Sequence, residues 1–346
     1  MEKRDIRELS PAELSAFLQS IGEKPFRAKQ IERWLWQKGV TRFEEMRDLP
    51  ASTRARLQEC FPARAGEITA AREGRDGTGK LGVTLPDGSV IETVLIPSGK
   101  RVTACVSTQA GCQLRCAFCA TGAAGFTRDL DAREIFDQVM MAKRRAEARG
   151  ARLSNVVFMG MGEPLLNLDN VLAAVDRLTS PAGLAISPAR LTLSTAGIPG
   201  GIRRLADEKA RFHLAISLHS AVNATRDRLM PVNKAYPLDR LADAIAYFVE
   251  KTGTRPTLEY LLLEDINDTP EEARALALFC RRFPVKINIL EYNPVAGAPY
   301  GPTPAGTRDR FIRFLESKNM VVNARRSRGA DIAAACGQLA NKRGER

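Results

Sequence analysis

The sequence predicts an α/β fold, a partial or complete (βα)6 barrel preceded by a helical module and β-hairpins. Three observations carry that prediction. From about residue 101, short apolar β-type runs alternate with helix-period segments, the rhythm of parallel βα units. Upstream, the turn pairs Asp76-Gly77 and Asp87-Gly88 lie between short alternating runs, as in β-hairpins. The first 62 residues carry a helix-start signal and apolar positions at helical spacing.

In the N-terminal module, residues 1–62, Ser10-Pro11-Ala12-Glu13 has capping-box spacing, with proline at the first helical position. Leu14, Phe17 and Leu18 follow as core positions. A second helix over 27–38 offers Ile31, Trp34 and Leu35 to the same core. The hairpin extension, residues 63–97, contains Gly74-Arg75-Asp76-Gly77-Thr78-Gly79-Lys80, which imitates a P-loop. The next residue is Leu81, so the magnesium-binding hydroxyl is missing, and no helix pattern follows. The stretch reads as a turn. The core, residues 98–318, has candidate strands at 102–107, 155–159, 190–194, 212–217, 257–263 and 286–290. Helical patterns lie between them, at 132–148, 238–251 and 271–282 among others. In such a barrel the active site sits at the C-terminal strand ends. Residues 319–346 form a C-terminal segment.

Composition narrows the class. Of 346 residues, 44% are hydrophobic, room for one large domain and a smaller appendage. No run of about 18 apolar residues exists, so neither a membrane span nor a membrane partner is expected. The charged start, Met1-Glu2-Lys3-Arg4-Asp5, lacks the apolar region of a secretory signal, and a cytoplasmic location is expected. The net charge of +12 favours polyanionic partners through counterion release. Lys143-Arg144-Arg145, with Arg149 and Arg152, reads as the end of a solvated helix face. A basic patch comprises Arg325, Arg326, Arg328, Lys342, Arg343 and Arg346. Seven cysteines, an odd number, argue against a disulfide framework. His213 and His219 are the only histidines, so any metal must lean on sulfur.

Cys112, Cys116 and Cys119 form a C-x3-C-x2-C run just after the first barrel strand. Thiolates are the usual ligands of iron–sulfur clusters, which normally take four; three leave one iron open. Structural zinc is the competing reading, but it wants a closed tetrahedron, commonly from paired C-x2-C knuckles, and no second pair exists. Further signals sit at the strand ends. Gly160-Met161-Gly162-Glu163-Pro164 follows the second strand, where glycines let backbone approach a ligand and Glu163 can receive an ammonium group. Ser194-Thr195-Ala196-Gly197 ends the third strand, Ser217-Leu218-His219 the fourth, and Asn293-Pro294 follows the sixth. Singly, each reads as an ordinary strand end. Together, at one rim, they read as a cofactor cradle.

The cysteine spacing, with the aromatic Phe118 directly before the last cysteine, resembles the radical S-adenosylmethionine (SAM) superfamily. That resemblance implies the partial form of the barrel and a [4Fe–4S] cluster on Cys112, Cys116 and Cys119. It also implies SAM chelated at the open iron and cleaved by one electron to a 5′-deoxyadenosyl radical. Gly162, Glu163, Ser194, Ser217, Leu218, His219 and Asn293 would then contact SAM.

Two more cysteines narrow the resemblance. Cys105 lies in Cys105-Val106-Ser107-Thr108-Gln109-Ala110-Gly111-Cys112, and Cys336 in Ala333-Ala334-Ala335-Cys336-Gly337-Gln338-Leu339. With Glu92-Thr93-Val94-Leu95-Ile96-Pro97 and Gly22-Glu23-Lys24-Pro25-Phe26-Arg27, they closely resemble the RlmN/Cfr family of RNA methyltransferases over nearly the whole chain. Adenine C2 is electron-poor and cannot attack the SAM methyl; a thiolate can. The resemblance implies that Cys336 accepts a methyl from one SAM, and that the radical from a second removes hydrogen from it. The methylene then adds to adenine, Cys105 resolves the adduct through a transient disulfide with Cys336, and Glu92 is the proton acceptor. It further implies a tail folded over the barrel mouth and a helical module that helps bind RNA. The implied partners are 23S rRNA, at its peptidyl-transferase region, and tRNA, at the adenosine next to the anticodon. Flavodoxin or a similar reductase system would supply electrons to a monomer. The target base must be flipped out of its stack, and basic surface would hold the RNA phosphates.

Alternatives remain within and beyond that family. Cfr-like members methylate adenine C8; Pro164 and the following Leu165-Leu166-Asn167 look more like the C2 branch. A glycyl-radical activase would have no use for Cys105 and Cys336. A zinc-stabilised RNA-binding protein would be colourless and bind no SAM. Cys105 and Cys336 can also be read as small core residues, as Cys60 and Cys280 are.

Overall fold

Short β-type runs at 67–105 build an antiparallel meander that joins the barrel sheet. The computed structural model describes residues 4–61 and 64–340. Met1, Glu2 and Lys3, the expected 62/63 boundary, and Lys342, Arg343 and Arg346 lie outside the described residues. Strands β1 (Glu67–Glu73), β2 (Gly79–Thr84), β3 (Val90–Ser98) and β4 (Arg101–Cys105) pair antiparallel in succession. Both expected turns close: Gly77 donates to the Gly74 carbonyl and Gly88 to that of Leu85, each at 2.9 Å. The P-loop look-alike is therefore a hairpin turn.

Next in sequence, β5 (Gln109–Gly111) and β6 (Phe126–Asp129) form a separate two-stranded ribbon around the cysteine loop. Then β7 (Arg152–Phe158), β8 (Leu191–Thr195), β9 (His213–Ser217), β10 (Thr257–Leu262), β11 (Lys286–Glu291) and β12 (Val322–Arg325) follow β4 in parallel. The ten-stranded order runs from β1 to β12, and no pairing between those two closes it among the described residues. The barrel is partial.

The parallel strands number seven where six were expected, because β12 lies in the expected tail. Its residues, Val-Asn-Ala-Arg, are mostly exposed, so no apolar run marked it. The first barrel strand ends at Cys105, not 107: Val106 still donates to Val157 at 2.9 Å, but the Ser107 N–H turns to the Gln138 side chain at 2.8 Å.

Helix starts follow their local chemistry. Ser10 and Glu13 close the capping box at 3.2 and 2.7 Å, and Asp131 with Glu134 closes another ahead of helix Ala132–Glu147. In the N-terminal module, Arg27–Glu32 runs into a wide π turn, Arg33–Gln37. That extra residue rotates the inward face. Trp36, 5% exposed, enters the core against Phe136, while Trp34 stays half-buried under the Lys38 ammonium. Trp34 was the wrong tryptophan for the core because the expected spacing was α-helical.

Buried charges lock the module to the barrel. Arg7 bonds Asp137 at 2.7 and 2.9 Å and Asp5 at 3.2 Å. Burial pushes the Asp137 carboxyl above its usual range, and the Arg7 guanidinium opposes that rise. The basic run at 143–152 is partly spent on packing: Arg144 donates to Gly39 at 2.8 Å and Arg149 pairs with Glu73 at 2.7 Å. Among the described residues no helix is long and apolar enough to cross a membrane.

Candidate active site at the barrel mouth

The cysteine loop hangs between β5 and β6, and the chain before it is laced to the end of β7. Met161 accepts N–H bonds from Thr108 and Gln109 at 2.8 and 3.2 Å. In return Met161 N–H donates to Ser107 Oγ at 2.9 Å, and Glu163 N–H to Gln109 Oε1 at 2.8 Å. Two glycines permit this lacing. A Cβ on Gly160 would sit 2.7 Å from Val106 backbone, and one on Gly162 would sit 2.5 Å from Gln109 Cβ. Gly162 also holds φ at +101°, a conformation side chains rarely tolerate.

Glu163 is buried at 3% exposure. Its carboxylate accepts the N–H groups of Leu165 at 3.0 Å and Ala196 at 2.7 Å, tying the ends of β7 and β8. Burial raises its pKa, and those two N–H groups oppose the rise. Ser194 and Ser217 occupy the C-terminal ends of β8 and β9. Leu218 and His219 turn away from β9, with N–H groups on the Glu259 carbonyl at 3.0 and 3.4 Å. His219 has φ of +56°, accepts the Leu261 N–H on Nδ1 at 3.0 Å, and meets the Phe118 ring edge to face.

Cys112, Cys116 and Cys119 are half-buried on one loop. Burial pushes the Cys112 thiol up to about 11, and raises Cys116 well above its ordinary value. Cys119 opposes ionisation of both, and Cys112 opposes that of Cys116. Among the described residues no three side chains converge on a single ion; in a cubane each thiolate binds a different iron, so convergence is not required. Thiols such as Cys112 and Cys116, whose ionisation burial and neighbouring thiolates discourage, suit a multiply charged cationic group that favours the thiolate form. Arg226 adds fixed positive charge beside Cys116. It is fully buried, with guanidinium bonds to Ala196 O at 2.6 Å, Asn233 Oδ1 at 2.8 Å and Leu218 O at 3.1 Å.

The second pair of cysteines comes together at the same rim. Cys105, 8% exposed, ends β4, and Cys336, exposed, lies on the C-terminal segment. Both are free thiols. Each is pushed up chiefly by desolvation. Cys336 charge raises Cys105 further, while Glu259 and Cys119 raise Cys336 and Arg325 lowers it. The segment is seated on the cysteine loop: Ala120 N–H donates to Gly337 O at 2.7 Å and Thr121 Oγ1 to Leu339 O at 2.6 Å. Asn293 donates to Cys336 O at 3.4 Å. Glu92 on β3 pairs with Lys80 at 2.9 Å and accepts the Ala340 N–H at 2.9 Å.

The structure thus gathers the thirteen candidate residues around one rim, all seven cofactor candidates lying at or just past the ends of β7, β8, β9 and β11, with the Leu218 side chain fully buried. Sequence reasoning missed Lys80, Gln138, Arg226, Glu259 and Asn288. Glu259 is 9% exposed on β10, accepts Asn288 Nδ2 at 2.9 Å, and acts on Cys336. A glutamate inside the apolar run Leu258–Leu263 was the available signal.

Comparison with known proteins places the chain in a family. The family described as ribosomal RNA large subunit methyltransferase N-terminal domain matches residues 4–62, and the radical SAM superfamily matches residues 106–277. A probable dual-specificity RNA methyltransferase RlmN from Flavobacterium johnsoniae is 44% identical, over 100% of this chain and 99% of that protein. The chain belongs to the RlmN family of radical SAM methyltransferases. A dual-specificity RNA methyltransferase RlmN from Alkalilimnicola ehrlichii is 42% identical, over 98% of this chain and 94% of its own. The crystal structure of a radical SAM methyltransferase from Sphaerobacter thermophilus superposes with a TM-score of 0.93 at 37% identity, covering 98% of this chain and all of that one. RlmN-family membership makes this protein an enzyme, with a [4Fe–4S] cluster and SAM as cofactors. The zinc-protein and activase readings fall away, since neither belongs to this family.

Proposed function

We propose that the protein methylates C2 of adenosine in RNA, through a methyl group carried on Cys336 and two SAM molecules per turnover. The proposed substrates are the peptidyl-transferase region of 23S rRNA and the adenosine 3′-adjacent to the tRNA anticodon. The observation that carries this reading is the seating of the Cys336 segment on the cysteine loop, through the Ala120–Gly337 and Thr121–Leu339 bonds, with Cys336 near enough to Cys105 for its charge to act on that thiol.

Cys112, Cys116 and Cys119 would hold the cluster, and the rim residues Gly162, Glu163, Ser194, Ser217, His219 and Asn293 would orient SAM. When bound, these cofactors supply the one-electron chemistry that removes hydrogen from an unactivated methyl group. Everything else falls to the chain. Cys336 must lose its proton to accept a methyl; Arg325 favours that loss and Glu259 resists it. Cys105, held protonated by burial, stays inert until an adduct forms within reach, then closes the disulfide with Cys336. Glu92 is the proposed proton acceptor. Leu218 packs under the rim, fully buried, and fixes the backbone that bears Ser217 and His219.

The names of the relatives, RNA methyltransferases, support an RNA substrate, and the excess of 52 Lys and Arg over 40 Asp and Glu suits it. A monomer that takes electrons from a flavodoxin-type donor in the cytoplasm completes the proposal. The test is nucleoside mass spectrometry after anaerobic incubation with SAM, reductant, unmodified 23S rRNA and tRNA. 2-Methyladenosine is expected in both. 8-Methyladenosine would overturn the C2 assignment, and absence from one RNA would remove the dual specificity.

A further inference from the structure

We propose that the turn that imitates a P-loop, together with Lys80 and Glu92, is a clasp that holds the C-terminal segment and positions Cys336. This inference rests on the reading in which Cys336 carries the methyl group. Lys80, Asp76 and Asp331 are then positioning residues.

Beyond β12 the segment has little structure of its own. One 3-10 turn, Ala330–Ile332, is flanked by Gly329 and Ala333, both in the left-handed region at φ of +64° and +51°. Such a chain is placed by what it touches. A single ion pair touches it on both sides of Cys336. The Lys80 ammonium bonds Glu92 at 2.9 Å and the Ala333 carbonyl at 3.1 Å. The other Glu92 oxygen accepts the Ala340 N–H at 2.9 Å. Ala333 lies three residues before Cys336 and Ala340 four after it, so the pair spans the loop that presents the thiol.

A reciprocal exchange fixes the segment's entry. Asp331, from the segment, accepts the Arg75 N–H of the turn at 2.9 Å. Asp76, from the turn, accepts the Gly329 N–H at 3.2 Å and pairs with Arg328 at 3.7 Å. Partial burial resists ionisation of Asp76, but the N–H groups of Thr78 and Gly329 and the Arg328 charge outweigh it and lower its pKa. Close approach explains the glycines: a Cβ on Gly74 would sit 2.7 Å from Asp331 Oδ1, and one on Gly329 would sit 2.7 Å from Thr78 Cγ2. The side chains of Lys80 and Glu92 are 12% and 11% exposed, so their bond is shielded from salt as a surface pair is not.

The test uses reconstituted holoenzyme and two readouts: hydrogen exchange of peptides covering 328–340, and the mass of the Cys336 peptide after incubation with SAM. Lys80→Met and Asp331→Ala should each raise segment exchange about tenfold or more, with exchange in β7 to β10 and iron content unchanged. Methylation of Cys336 should slow about tenfold, and Lys80→Arg should restore both readouts. Unchanged segment exchange in both variants would overturn the clasp. Faster exchange with undiminished Cys336 methylation would overturn its positioning role. Wild-type enzyme with no methyl on Cys336 would sink the proposed function instead, while the exchange comparison still decides the clasp.

Discussion

The rings of Phe118 and His219 meet edge to face, centroids 4.8 Å apart and planes at 87°. One belongs to the cysteine loop and the other to the turn after β9, so the contact pins the loop to the opposite side of the rim. The imidazole is buried, and burial pushes its pKa down to about 3, with the Arg226 charge adding to the shift. Nδ1 accepts the Leu261 N–H, so the proton of the neutral ring sits on Nε2. Between about 6.5 and about 3, an unfolded chain binds a proton that the folded chain refuses. Its contribution to stability is therefore complete above about pH 6.5 and is lost as pH falls, by about 1.4 kcal/mol per pH unit, until about pH 3. Nitrogen NMR of the imidazoles at pH 5 should show one neutral tautomer at His219, protonated on Nε2. A charged ring there at pH 5 would refute the assignment.

Arg226 carries a second prediction. Its guanidinium occupies carbonyls from the ends of β8 and β9, and burial lowers its pKa to about 10, with Cys116 and Asp227 opposing. It remains charged at neutral pH. Arg226→Met strands three buried acceptors and should cost on the order of 3–5 kcal/mol in chemical denaturation. A loss under about 1 kcal/mol would mean that water replaces the guanidinium.

Much of this site was legible before the structure, for reasons of spacing. The cysteine run, the glycine pair before Glu163 and both turn pairs are local, and local geometry decides them. Six of the seven parallel strands were recovered to within about three residues because buried parallel strands are rich in apolar residues, while the mostly exposed β12 was not. What escaped depends on distant partners. Nothing in the stretch from His219 to Leu229 separates Arg226, fully buried, from Arg228, exposed. Gln138 sits on the apolar face of its helix because Thr93 and Ser107 meet it there. Lys80 was hidden twice, by a misleading motif and by a partner segment more than 250 residues away. The π turn at Arg33–Gln37 left no local mark at all.

Gly162 supplies the third prediction. A Cβ there would stand 2.5 Å from Gln109 Cβ and 2.8 Å from its backbone nitrogen, at φ of +101°. Gln109 cannot withdraw freely, since its amide holds Asp129 at 2.7 Å and accepts from Glu163. Gly162→Ala should lower stability by about 2–4 kcal/mol and weaken SAM binding, both measurable by denaturation and calorimetry. Gly200→Ala, where no atom lies within 4 Å of the added carbon, is the matched control.

The fourth prediction separates the two groups of cysteines. Cys116→Ala should lose iron and colour, because a cluster left with two protein ligands is not retained. Cys336→Ala should keep both and form no methylated nucleoside, since its thiol is the proposed methyl acceptor. Truncation after Ser327 should behave like Cys336→Ala if the segment serves only to present the thiol; loss of iron would show that its bonds to Ala120 and Thr121 also hold the cysteine loop. Cys105→Ala should act later than either. Its Cys336 still takes a methyl and still joins the RNA base, but no second thiol is in place to resolve the thioether. A covalent protein–RNA species should then accumulate on denaturing gels, and it should vanish in the Cys105→Ala, Cys336→Ala double variant. Turnover by Cys105→Ala at the wild-type rate would remove Cys105 from the mechanism and leave it a buried core residue.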